Sequence, residues 1–170
     1  MTLPDPAPLR VGITGHINLT PDTERLIADA LRVELRRISD RPVHGVTCLA
    51  AGADQIFARA VLATGGTYEV ILPAPDYRAA AIAQDRRAAY DELLQRATRV
   101  IHIDHNRSGT AAYVAANREL LRRIQRLVAV WDGELGCHAA STDRTVDWAR
   151  QRGIPTTILW PTGARRMPTV

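Results

Sequence analysis

Apolar residues follow two alternating patterns along the chain, namely short unbroken runs and stripes with helical spacing. The unbroken runs predict β-strands near residues 9–14, 43–49, 67–72, 100–103, 127–131 and 156–160. Between the runs lie stripes such as Ile27, Leu31, Leu35 and Ile38, which are typical of the buried face of a helix. Helices are therefore expected to begin near residues 21, 53, 76, 110 and 142, and the one beginning near 76 to run to about 97.

The regular alternation of strand and helix predicts an α/β fold. We expect a single doubly wound Rossmann-like domain with a mainly parallel sheet of about six strands. The domain is predicted to span residues 9–161, after an N-terminal extension (1–8) and before a flexible tail (162–170). Because such sheets bind ligands at the carboxyl ends of their strands, the loops that follow the strands are the expected site.

Composition narrows the possible functions. The chain has 170 residues, and its 46% apolar and 24% charged residues are ordinary for a globular protein. It has no apolar run of about 20 residues that would span a membrane, and its start lacks the apolar core of a signal peptide, so a cytoplasmic protein without a membrane partner is expected. All 22 basic residues are arginine, which excludes a Schiff-base lysine and a phosphate-loop lysine. The net charge of +4 fits a solvated basic surface as well as an anionic partner, so nucleic acid is an unlikely partner on charge alone.

Two strand-to-helix junctions are rich in small residues. In the first, Gly12, Thr14, Gly15 and His16 form either a plain tight turn or a loop that a ligand can approach closely. In the second, Gly52 permits close packing, and Asp54 either complements the positive end of a helix or accepts a hydrogen bond from a ribose hydroxyl.

A third junction carries aromatic, acidic and hydroxyl groups. Trp131, Asp132 and Gly133 end the fifth strand, where the indole either packs or stacks on a base. Ser141, Thr142 and Asp143 then open the last helix, whose positive end suits a phosphate. In the preceding helix, Arg118 is either a surface arginine or a phosphate contact.

Metal and covalent chemistry find little support in the sequence. The five histidines lack metal-ligand spacing, so no metal is expected, and no cofactor is predicted. Neither Cys48 nor Cys137 has a neighbouring base that would mark a nucleophile.

Taken in order, these junctions resemble the SLOG superfamily, which joins DprA-like proteins, Lonely Guy proteins and small YspA/YpsA-like proteins. The likeness extends over residues 9–161 and also includes Ile71-Leu72-Pro73 and Asn117-Arg118. It implies a Rossmann-like fold that holds a nucleotide or nucleotide derivative at the sheet edge, between the first glycine loop and the loop before the last helix. It further implies a ligand sensor, expected to be a homodimer, that reports to an effector encoded nearby, as in bacterial conflict systems.

The resemblance leaves two alternatives to a sensor. One is a Lonely Guy-like phosphoribohydrolase that acts on nucleoside 5′-monophosphates. Lonely Guy proteins carry a Pro-Gly-Gly-x-Gly-Thr-x-x-Glu run; here Thr142 matches the threonine, but Thr145 stands where the glutamate would be. Threonine is not a general base at neutral pH, which weighs against an enzyme. The other alternative is DprA-like binding of single-stranded DNA, which the arginine excess favours slightly.

Overall fold

The computed structural model describes residues 7–168 and contains a six-stranded, wholly parallel sheet. The strand order is β4-β3-β2-β1-β5-β6, which confirms the predicted α/β fold with a single Rossmann-like sheet. The strands are β1 (Arg10–Gly15), β2 (His44–Thr47), β3 (Thr67–Leu72), β4 (Arg99–His102), β5 (Arg126–Val130) and β6 (Thr156–Leu159).

Helices connect each strand to the next. They are α1 (Pro21–Ile38), α2 (Ala53–Ala63), α3 (Tyr77–Ala81), α4 (Arg87–Gln95), α5 (Thr110–Arg123) and α6 (Thr142–Gln151), with a 3₁₀ turn at Gln84–Arg86. The prediction of one continuous helix over 76–97 is wrong. Ile82 is extended, and its side chain is 2% exposed, so the chain leaves the helix to bury this residue. Arg87 donates from Nε to the carbonyl oxygen of Ile82 at 3.1 Å.

The helices cover both faces of the sheet. On one face, Val11, Ile13, Val128 and Val130 belong to a core that includes residues of α1 and α2. On the other face, Val46, Ile71 and Leu127 pack with apolar residues of α5 and α6. A Cβ on Gly12 would lie 2.7 Å from Leu120 Cδ2, so glycine at this position allows α5 to pack closely on β1. No helix within the described range is long and apolar enough to cross a membrane.

The direction of winding reverses at β1. From β1 the chain adds β2, β3 and β4 on one side, and then crosses over to place β5 on the other side of β1. The carboxyl ends of β1 and β5 therefore flank a topological switch point, where open parallel sheets form a crevice.

The segment after β6 runs back to the start of α1. The amide nitrogen of Met167 donates to the carbonyl oxygen of Asn18 at 2.7 Å. That of Arg165 donates to Thr23 Oγ1, also at 2.7 Å. These bonds hold much of the segment predicted to be a flexible tail beside the carboxyl end of β1. Residues 1–6 of the predicted N-terminal extension lie outside the described residues.

Candidate ligand-binding site

A cavity of about 770 Å³ opens at the carboxyl edge of the sheet, at the switch point. Its volume is in the range of small-molecule sites. Residues that follow β1, β2, β3 and β5 contribute to its wall, together with the starts of α3, α5 and α6. The lining residues used below are Thr14, Gly15, His16, Cys48, Asp54, Tyr77, Tyr113, Asn117, Glu134, Ser141, Thr142, Asp143 and Arg166.

The loop after β1 is tightly packed behind the cavity. A Cβ on Gly15 would lie 2.6 Å from the Cβ of Ala53, so a side chain there would push α2 away. Gly52 has φ +76°, and a Cβ on it would lie 2.6 Å from the carbonyl oxygen of His16. Ala53 donates its amide hydrogen to that same oxygen at 3.2 Å. Gly52 thus supports the His16 loop from behind and does not line the cavity.

Asp132 does not line the cavity but holds three residues that do. Its Oδ1 lies 2.9 Å from His16 Nε2 and accepts from the amide nitrogen of Glu134 at 3.0 Å. Its Oδ2 forms an ion pair with Arg166 Nε at 2.7 Å. One carboxylate therefore joins the loops after β1 and β5 to the segment after β6.

His16 is held in a single orientation. Burial lowers the pKa of His16. This effect outweighs the hydrogen bond that His16 makes to Asp132, which acts to raise the pKa. Since the Asp132 carboxylate can only accept, a neutral His16 donates from Nε2 and keeps Nδ1 as an acceptor. The ring also packs edge-on against Trp160, with centroids 5.6 Å apart.

The start of α6 forms a hydroxyl-rich part of the wall. Ser141 is the residue before the helix, and Thr142 is its first residue. Asp143 Oδ1 accepts hydrogen bonds from Ser141 Oγ and from the amide nitrogen of Gly136. Burial acts to raise the pKa of Asp143, but these hydrogen bonds lower it overall, so the residue is a carboxylate at neutral pH. Asp143 thereby shapes the loop between β5 and α6.

Asp54 is a buried carboxylate at the opposite part of the wall. Its Oδ2 accepts from Thr47 Oγ1 at 3.2 Å and from the amide nitrogens of Cys48 and Ala50 at 3.1 and 3.3 Å. Burial raises the pKa of Asp54 to about 7, against the effect of these hydrogen bonds. The connection that wraps around the carboxylate includes Leu49 at φ +53°, a conformation that a leucine rarely adopts.

The predicted site residues fall into two groups. Thr14, Gly15, His16, Asp54, Ser141, Thr142 and Asp143 line the cavity. Gly12, Gly52, Arg118, Trp131, Asp132 and Gly133 do not. Trp131 donates from its indole nitrogen to the carbonyl oxygen of Glu134 at 2.8 Å, so it braces the loop. The guanidinium of Arg118 lies 5.3 Å from the ring centroid of Trp148, in a separate groove.

Sequence reasoning missed several lining residues, notably Tyr77, Tyr113, Asn117 and Arg166. Asn117 donates from Nδ2 to Thr145 Oγ1 at 3.2 Å, and Thr145 donates to the carbonyl oxygen of Ser141 at the same distance. Thr145 is buried and does not line the cavity. The position of the Lonely Guy glutamate therefore holds a residue that stabilises the start of α6. The Asn117-Arg118 motif could have indicated Asn117, whereas nothing local singles out Arg166.

Solved structures provide the comparison with known proteins. The DNA processing protein A (DprA) of Helicobacter pylori, described for its single-stranded DNA binding mode, matches with a TM-score of 0.66 and 16% identity over 92% of this chain and 67% of its own. DprA from Streptococcus pneumoniae matches with a TM-score of 0.63 and 12% identity, over 91% and 51% of the two chains. This chain shares the DprA fold.

A third structure extends the comparison beyond DprA. TM1055, a structural genomics target, matches with a TM-score of 0.56 and 16% identity, over 87% of this chain and 72% of its own. No protein-family model and no curated protein matches the sequence. At these identities the comparisons show a common fold, and the chain covers about half of the pneumococcal protein.

Proposed function

We propose that this protein is a SLOG-type domain that binds a nucleotide or nucleotide derivative in the cavity and acts as a ligand sensor. The observation that carries the proposal is the cavity itself. At the switch point it brings together the glycine loop after β1, a buried carboxylate and the start of α6, and each of these was singled out in the sequence. A homodimer and a separate effector protein belong to the same proposal.

The charges along the cavity wall support one direction for the ligand. The start of α6 offers the Ser141 and Thr142 hydroxyls at a positive helix end, which suits a phosphate. Among residues 7–168, Arg166 is the one arginine that lines the cavity, and Asp132 fixes its Nε. We therefore place the anionic part of the ligand between Arg166 and α6, so that Arg166 makes the phosphate contact that was one of the two roles predicted for Arg118.

Cleavage of the nucleotide is disfavoured by the same geometry. Thr145 contributes no carboxylate, and the acidic residues that line the cavity are Asp54, Glu134 and Asp143. Asp143, which shares the first turn of α6 with Thr145, is engaged by hydrogen bonds from Ser141 and Gly136. We expect binding without release of free base.

Calorimetric titration with nucleoside monophosphates tests this proposal. The Thr142→Arg variant should lose binding while keeping its fold, because the new side chain fills the anion position and adds positive charge at the helix start. Thr110→Arg is the matched control, since Thr110 is the exposed first residue of α5, outside the cavity. Retained affinity in Thr142→Arg would refute the site, and chromatographic detection of free base would instead support the phosphoribohydrolase.

Single-stranded DNA binding is a second candidate, favoured by the groove around Trp148. Arg118, Arg122 and Arg152 line this groove of about 560 Å³, and the Arg118 guanidinium covers the indole ring. Arginines of this kind suit a single strand, because guanidinium groups contact phosphates, and a guanidinium stacked on an aromatic ring offers its other face to a base.

Fluorescence anisotropy with a labelled oligothymidine tests the second candidate. Wild-type binding should weaken steeply as salt increases, and the double variant Arg118→Gln, Arg122→Gln should lose affinity by about tenfold or more, with a shallower salt slope. Arg150→Gln, an exposed residue of α6 outside the groove, serves as the control. No binding at low salt would eliminate this candidate.

A further inference from the structure

One part of the cavity wall contains deeply buried residues whose polar atoms lack some of their possible hydrogen bonds to the described residues. Asp54 and Tyr77 are 6% and 4% exposed, and both line the cavity. Asp54 is the second residue of α2, which follows β2, and Tyr77 is the first residue of α3, which follows β3; both strands lie on the side of β1 away from β5. We call this part, formed by Cys48, Asp54, Tyr77 and Tyr113, the tyrosine end of the cavity.

The hydrogen bonds of Asp54 are one-sided. All three donors that reach the carboxylate, from Thr47, Cys48 and Ala50, end on Oδ2. Among the described residues, no donor reaches Oδ1. Oδ1 is therefore left for a donor from a ligand, and such a donor would stabilise the ionised form of Asp54. Burial of the carboxylate raises its pKa to about 7.

The side chain of Tyr77 also has an unused capacity for hydrogen bonding. Its ring packs edge-on against Tyr90 and Tyr113, with centroids 6.4 and 5.9 Å away. Its hydroxyl makes no hydrogen bond within residues 7–168. Burial raises the pKa of Tyr77, and the nearby carboxylate of Asp54 adds to that rise, so the hydroxyl stays protonated.

The two ends of the cavity present different charged groups to a ligand. The far end carries Arg166 and the start of α6, whereas the tyrosine end has aromatic and small apolar walls with one carboxylate. Cys48 adds no charge, because burial raises the pKa of its thiol well above its ordinary value. A flat ring that presents an N–H group fits the tyrosine end, since the rings of Tyr77 and Tyr113 can contact it and the ionised carboxylate of Asp54 accepts its hydrogen bond.

We propose that Asp54 and Tyr77 determine specificity for the ring of the ligand, and that they select a base that presents an N–H donor. This inference rests on the proposed nucleotide function and adds the class of ligand. Asp54 Oδ1 accepts the N–H hydrogen, and the Tyr77 hydroxyl supplies the second hydrogen bond.

Three probes separate this inference from the general function. Adenosine and guanosine 5′-monophosphates carry amino groups on the ring, whereas purine riboside 5′-monophosphate has a ring without any N–H. Calorimetry on the wild type should show at least one amino-bearing nucleotide binding about tenfold tighter than purine riboside monophosphate, as expected for a hydrogen bond to a charged acceptor.

The decisive variant is Asp54→Asn. The three protein donors require the amide oxygen to take the place of Oδ2, so the amide nitrogen replaces Oδ1 as a donor facing the ligand. The preference for the amino-bearing nucleotide should disappear or reverse. Asp147→Asn, at an exposed position on α6, should retain it.

Tyr77→Phe gives an independent readout if Asp54→Asn does not fold. It should weaken the preferred nucleotide severalfold, whereas Tyr90→Phe should not, because Tyr90 is buried in contact with Tyr77 but does not line the cavity. An unchanged preference in Asp54→Asn, or equal affinities in Tyr77→Phe and wild type, would overturn the inference. Failure of the wild type to bind any of the three probes would overturn the proposed function itself.

Discussion

At the scale of single residues, two aspartates organise opposite ends of the cavity in opposite ways. Asp132 is saturated, since it contacts His16, the amide of Glu134 and Arg166, and its pKa is lowered because these contacts outweigh burial. Asp54 accepts hydrogen bonds from the described residues at Oδ2 but not at Oδ1, and burial raises its pKa. Ionised Asp132 therefore stabilises the folded protein, whereas ionisation of Asp54 lowers the stability of the folded protein.

The pH dependence of stability should reveal the cost at Asp54. Its pKa rises from 3.8 to about 7 on folding, so between these values the native state binds more protons and its free energy of unfolding falls as pH increases. Asp54→Asn carries no such proton. Its stability relative to wild type should therefore increase by on the order of 4 kcal/mol between pH 4 and pH 8.

Denaturant unfolding at a series of pH values measures this difference. The exposed Asp147→Asn variant corrects for the change in net charge and should give a flat difference. A flat difference for Asp54→Asn as well would mean that Asp54 is ionised without cost in the folded protein.

At the scale of elements, local sequence predicted most helix and strand bounds because the determinants are local. Thr20 caps α1 by accepting from the amide nitrogen of Thr23 at 3.3 Å, and Pro21 and Asp22 follow as the helix start requires. The break at Ile82 was not predictable, because helical and extended conformations compete there and burial against distant residues decides. Arg118 lies away from the cavity for a related reason: α5 packs with Leu120 and Leu121 inward, which turns Arg118 towards Trp148.

The segment after β6 behaves as a structural element of the site. It pairs with Leu19 through Arg166 in an isolated antiparallel bridge and carries the arginine that lines the cavity. Sequence alone could not assign it this role, because its partners His16, Asn18 and Asp132 are distant along the chain.

Arg166→Gln should weaken binding of nucleoside monophosphates by about tenfold or more, while affinity for the corresponding nucleosides changes little, because the guanidinium contacts the anionic group. Arg165→Gln is the matched control: it removes the same charge from the adjacent exposed position, which does not line the cavity. Equal losses in the two variants would indicate a general effect of charge and no specific contact.

At the scale of the whole molecule, the carboxyl edge and the amino edge of the sheet have different roles. The carboxyl edge holds the cavity. Near the amino edge, Glu69 is 4% exposed and forms ion pairs with Arg10 and, at 3.5 Å, with Arg123, while His44 Nε2 lies 3.6 Å away. This network joins the first three strands to the end of α5. The alternation of strands and helices in the sequence sufficed to predict the fold, but the network and the cavity depend on contacts between distant segments.

Glu69→Ala should reduce the free energy of unfolding by about 2 kcal/mol, because it removes the carboxylate that pairs with Arg10, whereas Arg123 keeps its ion pair with Glu119. Nucleotide affinity should remain unchanged, since the network lies at the other edge. Chemical denaturation and calorimetry check the two parts, with Glu92→Ala, an exposed residue of α4, as the control. A large loss of affinity in a folded Glu69→Ala protein would contradict this division.

The position of β1 in the centre of the sheet also fixes the order in which the protein can assemble. On one side, Val11 of β1 pairs with Gly45 of β2, which is synthesised soon after it. On the other side, Val11 pairs with Arg126 of β5, which is synthesised much later. During synthesis, one edge of β1 therefore stays open until β5 has left the ribosome, and the rim of the cavity forms later still, when Arg166 reaches Asp132. A ligand cannot bind and stabilise the nascent chain at this cavity before that point, so the early stages of folding have to succeed without it.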